Sequence, residues 1–195
     1  MILLQDEDPI MRFVLNLSAF AFLMLLAPVA ALAEDIMVEN FEFQPEARWS
    51  FFTDRVMGGV STGQATFVSE NGDLYAHMTG KVSTENNGGF IQIRMELPNA
   101  APEGSSGVRL LVRGNDQRYF VHLRTRGTML PWQYYQAGFE VAQDWTEVRL
   151  PFTAFEPSGR LLRNVPRASS LKSIGIVAFG REHDAQIDIK EVGFF

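Results

Sequence analysis

Apolar residues recur at every second position along most of this chain, in short runs that follow one another from residue 36 to residue 195. A period of two puts alternate side chains on opposite faces, which is the pattern of half-buried strands and not of helices. Val108, Leu110 and Val112 share one face of their run, with Arg109 and Arg113 on the other. Tyr119, Val121 and Leu123 oppose Phe120, His122 and Arg124. Ile36 to Phe41, Phe90 to Leu97, Trp132 to Phe139, Trp145 to Leu150, Leu171 to Phe179 and Ala185 to Phe195 read the same way. Gln64 to Ser69 and Asp73 to Thr79 flank Asn71-Gly72, a strong two-residue hairpin signal. Asn115-Asp116 supplies a further turn, and residues 152–156 allow one short helical turn. No amphipathic run of helical period reaches the length of an ordinary helix. About ten short strands separated by turns predict an all-β sandwich or barrel, and the wide spacing between some runs favours a jelly roll.

The N-terminal region reads differently. Residues 13–33 are almost wholly apolar, Arg12 precedes them, and Ala31-Leu32-Ala33 closes them. This predicts a secretory signal peptide cleaved between Ala33 and Glu34, with residues 34–195 as a single exported, periplasmic domain. Asp6, Glu7 and Asp8 oppose the usual positive n-region, so translation is expected to start at Met11. The alternative is a membrane anchor, since a segment of this length spans a bilayer.

Cysteine is absent, which excludes disulfides, thiolate catalysis and cysteine-type zinc sites. A formal net charge of −6 disfavours general nucleic-acid binding. No cofactor is expected. His77, His122 and His183 are far apart, and no nucleophile elbow is present, so the chain is not expected to be an enzyme. Glu182-His183-Asp184 has metal-ligating residue types but reads as a hydrophilic turn.

Gly58 to Gly63 has the frame of a phosphate-binding loop. That loop needs a Lys, then a Ser or Thr, and a helix behind them. Here Gln64 and Ala65 follow, and Thr66-Phe67-Val68 is strand-like, so the phosphate reading fails.

The glycines belong to a longer pattern. "WSFFTDRVMGGVSTG" from Trp49, "GKVSTENNGGFIQIR" from Gly80, "GVRLLVRGNDQRYFVHLRT" from Gly107, "WTEVRLPFTAFEPSGRLL" from Trp145 and "LKSIGIVAF" from Leu171 occur in that order. Together they resemble the complex I intermediate-associated protein family, from about Asn40 to the end. The resemblance implies a galactose-binding-like jelly roll without catalytic machinery. It also implies a protein partner, among subunits of respiratory NADH:ubiquinone oxidoreductase or another membrane protein. The alternative on the same fold is a periplasmic carbohydrate-binding module with a glycan ligand. Mitochondrial members of the family work in the matrix, so an exported relative acts on the other side of the membrane. Where the family has a Gly-Pro-Phe-like turn before its last strand, this chain has Glu182 to Ala185.

Two regions are candidate binding sites. Asp54, Met57, Gly58 and Gly59 form either a recognition loop at one end of the sandwich or a glycine-enabled crossing capped by Asp54. Asn87, within Asn86-Asn87-Gly88-Gly89, sits in an expected hairpin turn or bulge. The second region is a face. Arg109, Arg113, His122, Arg124 and Tyr135, with Gln133, would make one basic and aromatic surface if their strands lie side by side. Glu39, Glu42, Asp188 and Glu191 loosely resemble the carboxylates with which carbohydrate-binding jelly rolls clip a structural calcium. The longest irregular segment, Glu156 to Ser170, carries Arg160, Arg163 and Arg167 beside Leu161 and Leu162.

Overall fold

The structure is a computed structural model of the chain and describes residues 35–195. The expected signal peptide, its cleavage site and the start at Met11 lie outside the described residues. Among the described residues, twelve strands form two sheets. The first runs in the order β3 (Thr62–Glu70), β4 (Asp73–Val82), β12 (His183–Phe194), β6 (Gly107–Gly114), β9 (Thr146–Pro151), with β1 (Ile36–Glu39) also on β12. The second runs β10 (Glu156–Pro157), β8 (Tyr135–Glu140), β7 (Arg118–Thr125), β11 (Leu171–Phe179), β5 (Phe90–Glu96), β2 (Trp49–Thr53). All pairings are antiparallel. The described helices are single turns, such as α1 (Pro45–Arg48) and a 3-10 turn at Phe152–Ala154.

The alternation places the core where the sequence puts it. Val108, Leu110 and Val112 of β6 are buried against Tyr119, Val121 and Leu123 of β7, Ile91 and Ile93 of β5, Ile174 and Ile176 of β11, and Ile187 and Ile189 of β12. Each such side chain contributes about 1.5–3 kcal/mol on leaving water, so the shared layer between the sheets holds them together. The Asn71-Gly72 hairpin is present, with φ of 52° and 89° at the two turn residues. Those are the left-handed values a two-residue hairpin of this twist requires.

Three expectations need correction. Asn115-Asp116 joins β6 of the first sheet to β7 of the second, so these consecutive strands cross between layers and do not pair. The segment around Asn86 to Gly89 likewise passes from β4 to β5 between sheets and is not a hairpin turn. The run from Trp132 does not begin as a strand, because the Gln133 N–H donates to the Leu130 carbonyl in a turn, and β8 starts at Tyr135. The structure also adds β2, in which Trp49 and Phe51 pack toward the core and Phe52 faces outward beside Gln92.

Candidate functional site

At one end of the sandwich, the two glycine motifs meet on one carboxylate. Asp54 opens a 3-10 turn, Asp54–Met57, directly after β2, and is fully buried. Its Oδ1 accepts the Ser61 N–H at 2.9 Å. Its Oδ2 accepts the Ser61 hydroxyl at 2.5 Å, the Gly89 N–H at 2.5 Å and the Phe90 N–H at 3.3 Å. Ser61 Oγ in turn accepts the Ser83 N–H at 2.9 Å. Burial alone would push this carboxyl up, but the hydrogen bonds from Ser61, Gly89 and Phe90 outweigh it and hold Asp54 below the usual carboxylate range. One side chain therefore clasps both crossings, β2 to β3 and β4 to β5. Backbone must come very close to do this. A Cβ on Gly59 or on Gly88 would fall on the Asp54 carboxyl, and Gly58 takes a φ of 94°.

Of the loop candidates, Asp54 and Gly59 thus lie in the clasp, while Met57 is exposed above it beside Val56. Asn87 is exposed, with a left-handed φ of 58°. Because Gly59 packs on the clasp, Gly59→Ala is expected to cost about 1–3 kcal/mol, the usual range for overpacking. Gly159→Ala, at a position with no atom within 4 Å of the new Cβ, is expected to leave stability nearly unchanged. Urea denaturation of both variants checks this. Equal midpoints would show that the Gly59 approach is not tight.

The two sheets present unlike outer faces. On the first, charges are paired. Arg109 meets Glu191 at 2.6 Å and Glu147 at 2.7 Å. Arg113 meets Asp188 at 2.7 Å and lies over the Trp145 ring at 4.6 Å. The ion pair with Glu191 raises the Arg109 pKa and the one with Asp188 raises that of Arg113, so neither charge is left for an outside anion. Three of the four carboxylates weighed as a calcium clip, Glu39, Asp188 and Glu191, are occupied as well. Glu39 accepts from Arg48 and the Trp49 indole, and Asp188 binds Arg113 and His77. Among the described residues no group of three acidic or histidine side chains is placed to hold a metal. Glu182 accepts from Ser83 and Thr84.

On the second sheet's outer face, aromatic rings cross four strands and reach the start of a fifth. His122 of β7 stacks on Tyr134, just before β8, with centroids 4.1 Å apart and planes 13° from parallel. His122 also meets Phe179 of β11 at 5.8 Å, and Phe179 meets Phe120 edge-on at 5.9 Å. Phe90 of β5 faces Phe52 of β2 at 6.1 Å, and the Arg94 guanidinium lies 5.0 Å over the Phe52 ring. Val177 is fully buried on this face, apart from the core cluster. His122 Nε2 donates to Gln136 Oε1 at 2.8 Å, and burial pushes the imidazole down to about 4, which leaves the ring neutral. The face offers ring stacking, edge contacts and amide or guanidinium donors, which is binding chemistry.

The expected single basic surface is therefore split. Arg109 and Arg113 lie on the first sheet, and His122 and Arg124 on the second. Tyr135 is buried in the core, and Tyr134 takes the outer position beside His122. Gln133 and Tyr135 do share one side of an unbroken alternation that runs to Phe139, but that side is the buried one. Phe52, Phe90, Phe179 and Gln136 were not among the expected site residues. The signal was present in β11, where Gly175, Val177 and Phe179 alternate with Ile174, Ile176 and Ala178. A strand apolar on both faces has something to cover on its outer side.

This sandwich, with one charge-paired face and one aromatic face, has the form of a jelly roll. Solved structures of that form match most of the chain. A family 11 carbohydrate-binding module from Clostridium thermocellum, solved with a beta-1,3-1,4-mixed-linked tetrasaccharide, aligns at TM-score 0.66 and 10% identity, covering 83% of this chain and 95% of that one. The family 30 module of the C. thermocellum cellulase Cel9D-Cel44B aligns at TM-score 0.54 and 10% identity over 84% and 98%. The agarase AgWH50C aligns at TM-score 0.56 and 10% identity, over 83% of this chain and 24% of its own. No curated protein matches the chain in sequence. The family model for Complex I intermediate-associated protein 30 (CIA30) matches residues 40–189, and the chain belongs to that family.

Proposed function

We propose that the chain is a non-catalytic, assembly-factor-like domain that engages a protein partner through the outer face of its second sheet. The observation that carries this reading is the contrast between the two faces. Arg109 and Arg113 are neutralised within the first sheet, whereas the second leaves Phe52, Phe90, Phe120, Phe179 and Tyr134 half-buried, with the Arg94 and Arg118 guanidinium groups lying over two of those rings. Half-exposed aromatic clusters are the usual energetic centres of protein interfaces. Family membership points to association with intermediates of respiratory complex I. The apolar run and small-residue site before Glu34 support an exported domain, and in this reading the partner is a membrane-complex subunit accessible from that side.

A second reading is a glycan ligand on the same face. The His122–Tyr134 stack beside Gln136 favours it, as a ring platform next to an amide suits a sugar, and the similar solved structures are carbohydrate-binding modules. Affinity capture from the native host with wild type and with Phe120→Ala/Tyr134→Ala tests the face. The double variant is expected to weaken retention of membrane-complex subunits by roughly thirtyfold or more, as loss of an aromatic centre of about 2 kcal/mol does. Unchanged retention would remove this face as the contact, and saturable binding to a glycan array would favour the second reading.

A further inference from the structure

The other end of the sandwich carries two loops that act as one surface, 126–134 between β7 and β8 and 158–170 between β10 and β11. Hydrogen bonds stitch them together. The Ser158 N–H donates to the Tyr134 carbonyl at 2.9 Å, Ser158 Oγ donates to the Trp132 carbonyl at 3.0 Å, and the Arg126 N–H donates to the Ser170 carbonyl at 2.8 Å. The joined surface projects large apolar side chains. Met129 is 85% exposed, Trp132 66% and Leu161 92%. These values describe side chains standing out from the surface, not lining a groove. Apolar groups held outward in this way mark an interaction site.

Charge is the second observation. From Arg124 to Tyr134 and from Pro157 to Lys172 the sequence has no Asp or Glu, in a chain whose formal net charge is −6. The same stretches hold five arginines and Lys172. Arg126, Arg160, Arg163 and Arg167 are exposed, and among the described residues none of them forms a salt bridge. This differs from the first sheet, where the arginines are matched by carboxylates.

The third observation is the backbone at the tip. Gln133 Oε1 accepts the Met129 and Leu130 N–H groups at 2.8 and 3.0 Å. Arg124 Nη2 donates to the Leu130 carbonyl at 2.9 Å, and Pro131 has no N–H to satisfy. The tip therefore enters an apolar medium without stranding these backbone groups, a condition that a bilayer imposes more strictly than a protein partner does.

We infer that this end is a membrane-contact surface that takes an anionic phospholipid bilayer, with Met129, Trp132 and Leu161 entering the headgroup boundary and the free arginines holding lipid phosphates. Tryptophan suits that depth, with one end apolar and the other able to donate. Shallow insertion and basic charge each bind weakly alone and hold together when combined.

Vesicle co-sedimentation tests this with the unit Ala33–Phe195, which is compact by itself. Vesicles of phosphatidylcholine alone are compared with vesicles containing about one-third phosphatidylglycerol. The protein is expected to sediment with the anionic vesicles only, to be released by salt, and to shift its tryptophan emission to shorter wavelength. Trp132→Ser/Leu161→Ser and Arg160→Gln/Arg163→Gln/Arg167→Gln change exposed side chains, so melting is expected to stay level while binding drops by roughly tenfold or more. Absence of binding to the anionic vesicles, or binding that both variants retain in full, overturns the assignment. Loss of vesicle binding alongside capture of an acidic protein by the same arginines would turn the surface into a protein dock.

Discussion

Asp54→Ala is expected to be the most damaging single change on the surface loops, costing about 3–5 kcal/mol of folding stability. The carboxylate accepts from Ser61, Gly89 and Phe90 and is fully buried. Truncation leaves those donors facing a small cavity, and each buried donor without a partner costs about 1–3 kcal/mol. Asp54→Asn separates charge from volume. It keeps the shape but turns one acceptor into a donor pointed at other donors, so it is expected to lose most of the same stability. Because folding holds the Asp54 carboxyl below its ordinary range, its contribution is present above the unfolded carboxylate range and is lost as pH falls through the lower folded value. The wild type should therefore lose stability on strong acidification, and Asp54→Asn should lose less. Urea titrations at neutral and acid pH measure both. An Asp54→Ala variant within about 1 kcal/mol of wild type would mean that the two crossings do not depend on their shared carboxylate.

The clasp gives two distant glycine motifs of this chain one physical cause. Ser61, Gly59 and Gly88 are needed only because Asp54 is there, and Asp54 is buried only because their backbones reach it. The pairing was legible in the sequence as a pattern, and its cause became visible once both crossings stood at one end. The core was legible for a simpler reason. Strand alternation is a local property, so Val108, Leu110 and Val112, or Tyr119, Val121 and Leu123, could be assigned inward from their own spacing alone.

What could not be read was which strands share a sheet. β6 and β7 are joined by a short polar turn, as a hairpin would be, yet β6 pairs with β12 and β9 while β7 pairs with β11 and β8. That choice is made by long-range pairing, and it divided the expected basic surface between the two sides of the molecule. β2 escaped notice because Trp-Ser-Phe-Phe-Thr carries large apolar groups toward both faces and shows no clean period. Tyr134 and Tyr135 exchanged roles because period alone does not say which side faces inward: Gln133, Tyr135, Ala137 and Phe139 alternate without a break, and their side is the buried one. The aromatic face was therefore spread over Phe52, Phe90, Phe120, Phe179 and Tyr134, on or beside five strands, with no motif to mark it.

Acidification should reveal His122 as a neutral member of that face. Burial presses its pKa down from 6.5 to about 4, and the partner within hydrogen-bond reach is the Gln136 amide, which carries no charge to hold a proton in place. A group whose folded pKa is depressed stabilises the fold above its unfolded value and gives that stability up as pH falls through the folded one. Between pH 6.5 and about 4 the wild type is thus expected to lose about 3 kcal/mol through this ring. The buried carboxylate Asp54 titrates below that window, and His183, also shifted downward by burial, adds in the same direction, so the comparison must be between variants. His122→Phe keeps a flat ring against Tyr134 and gives up one hydrogen bond, at about 1 kcal/mol near neutral pH. Its stability curve should cross that of the wild type on acidification and lie above it near pH 4. Parallel curves across the window would show that the imidazole is not held neutral by burial. A crossing would establish that the ring stacked beneath Tyr134 carries no charge at physiological pH, so binding over Tyr134 should vary little with salt, in contrast to the loops that bear the free arginines.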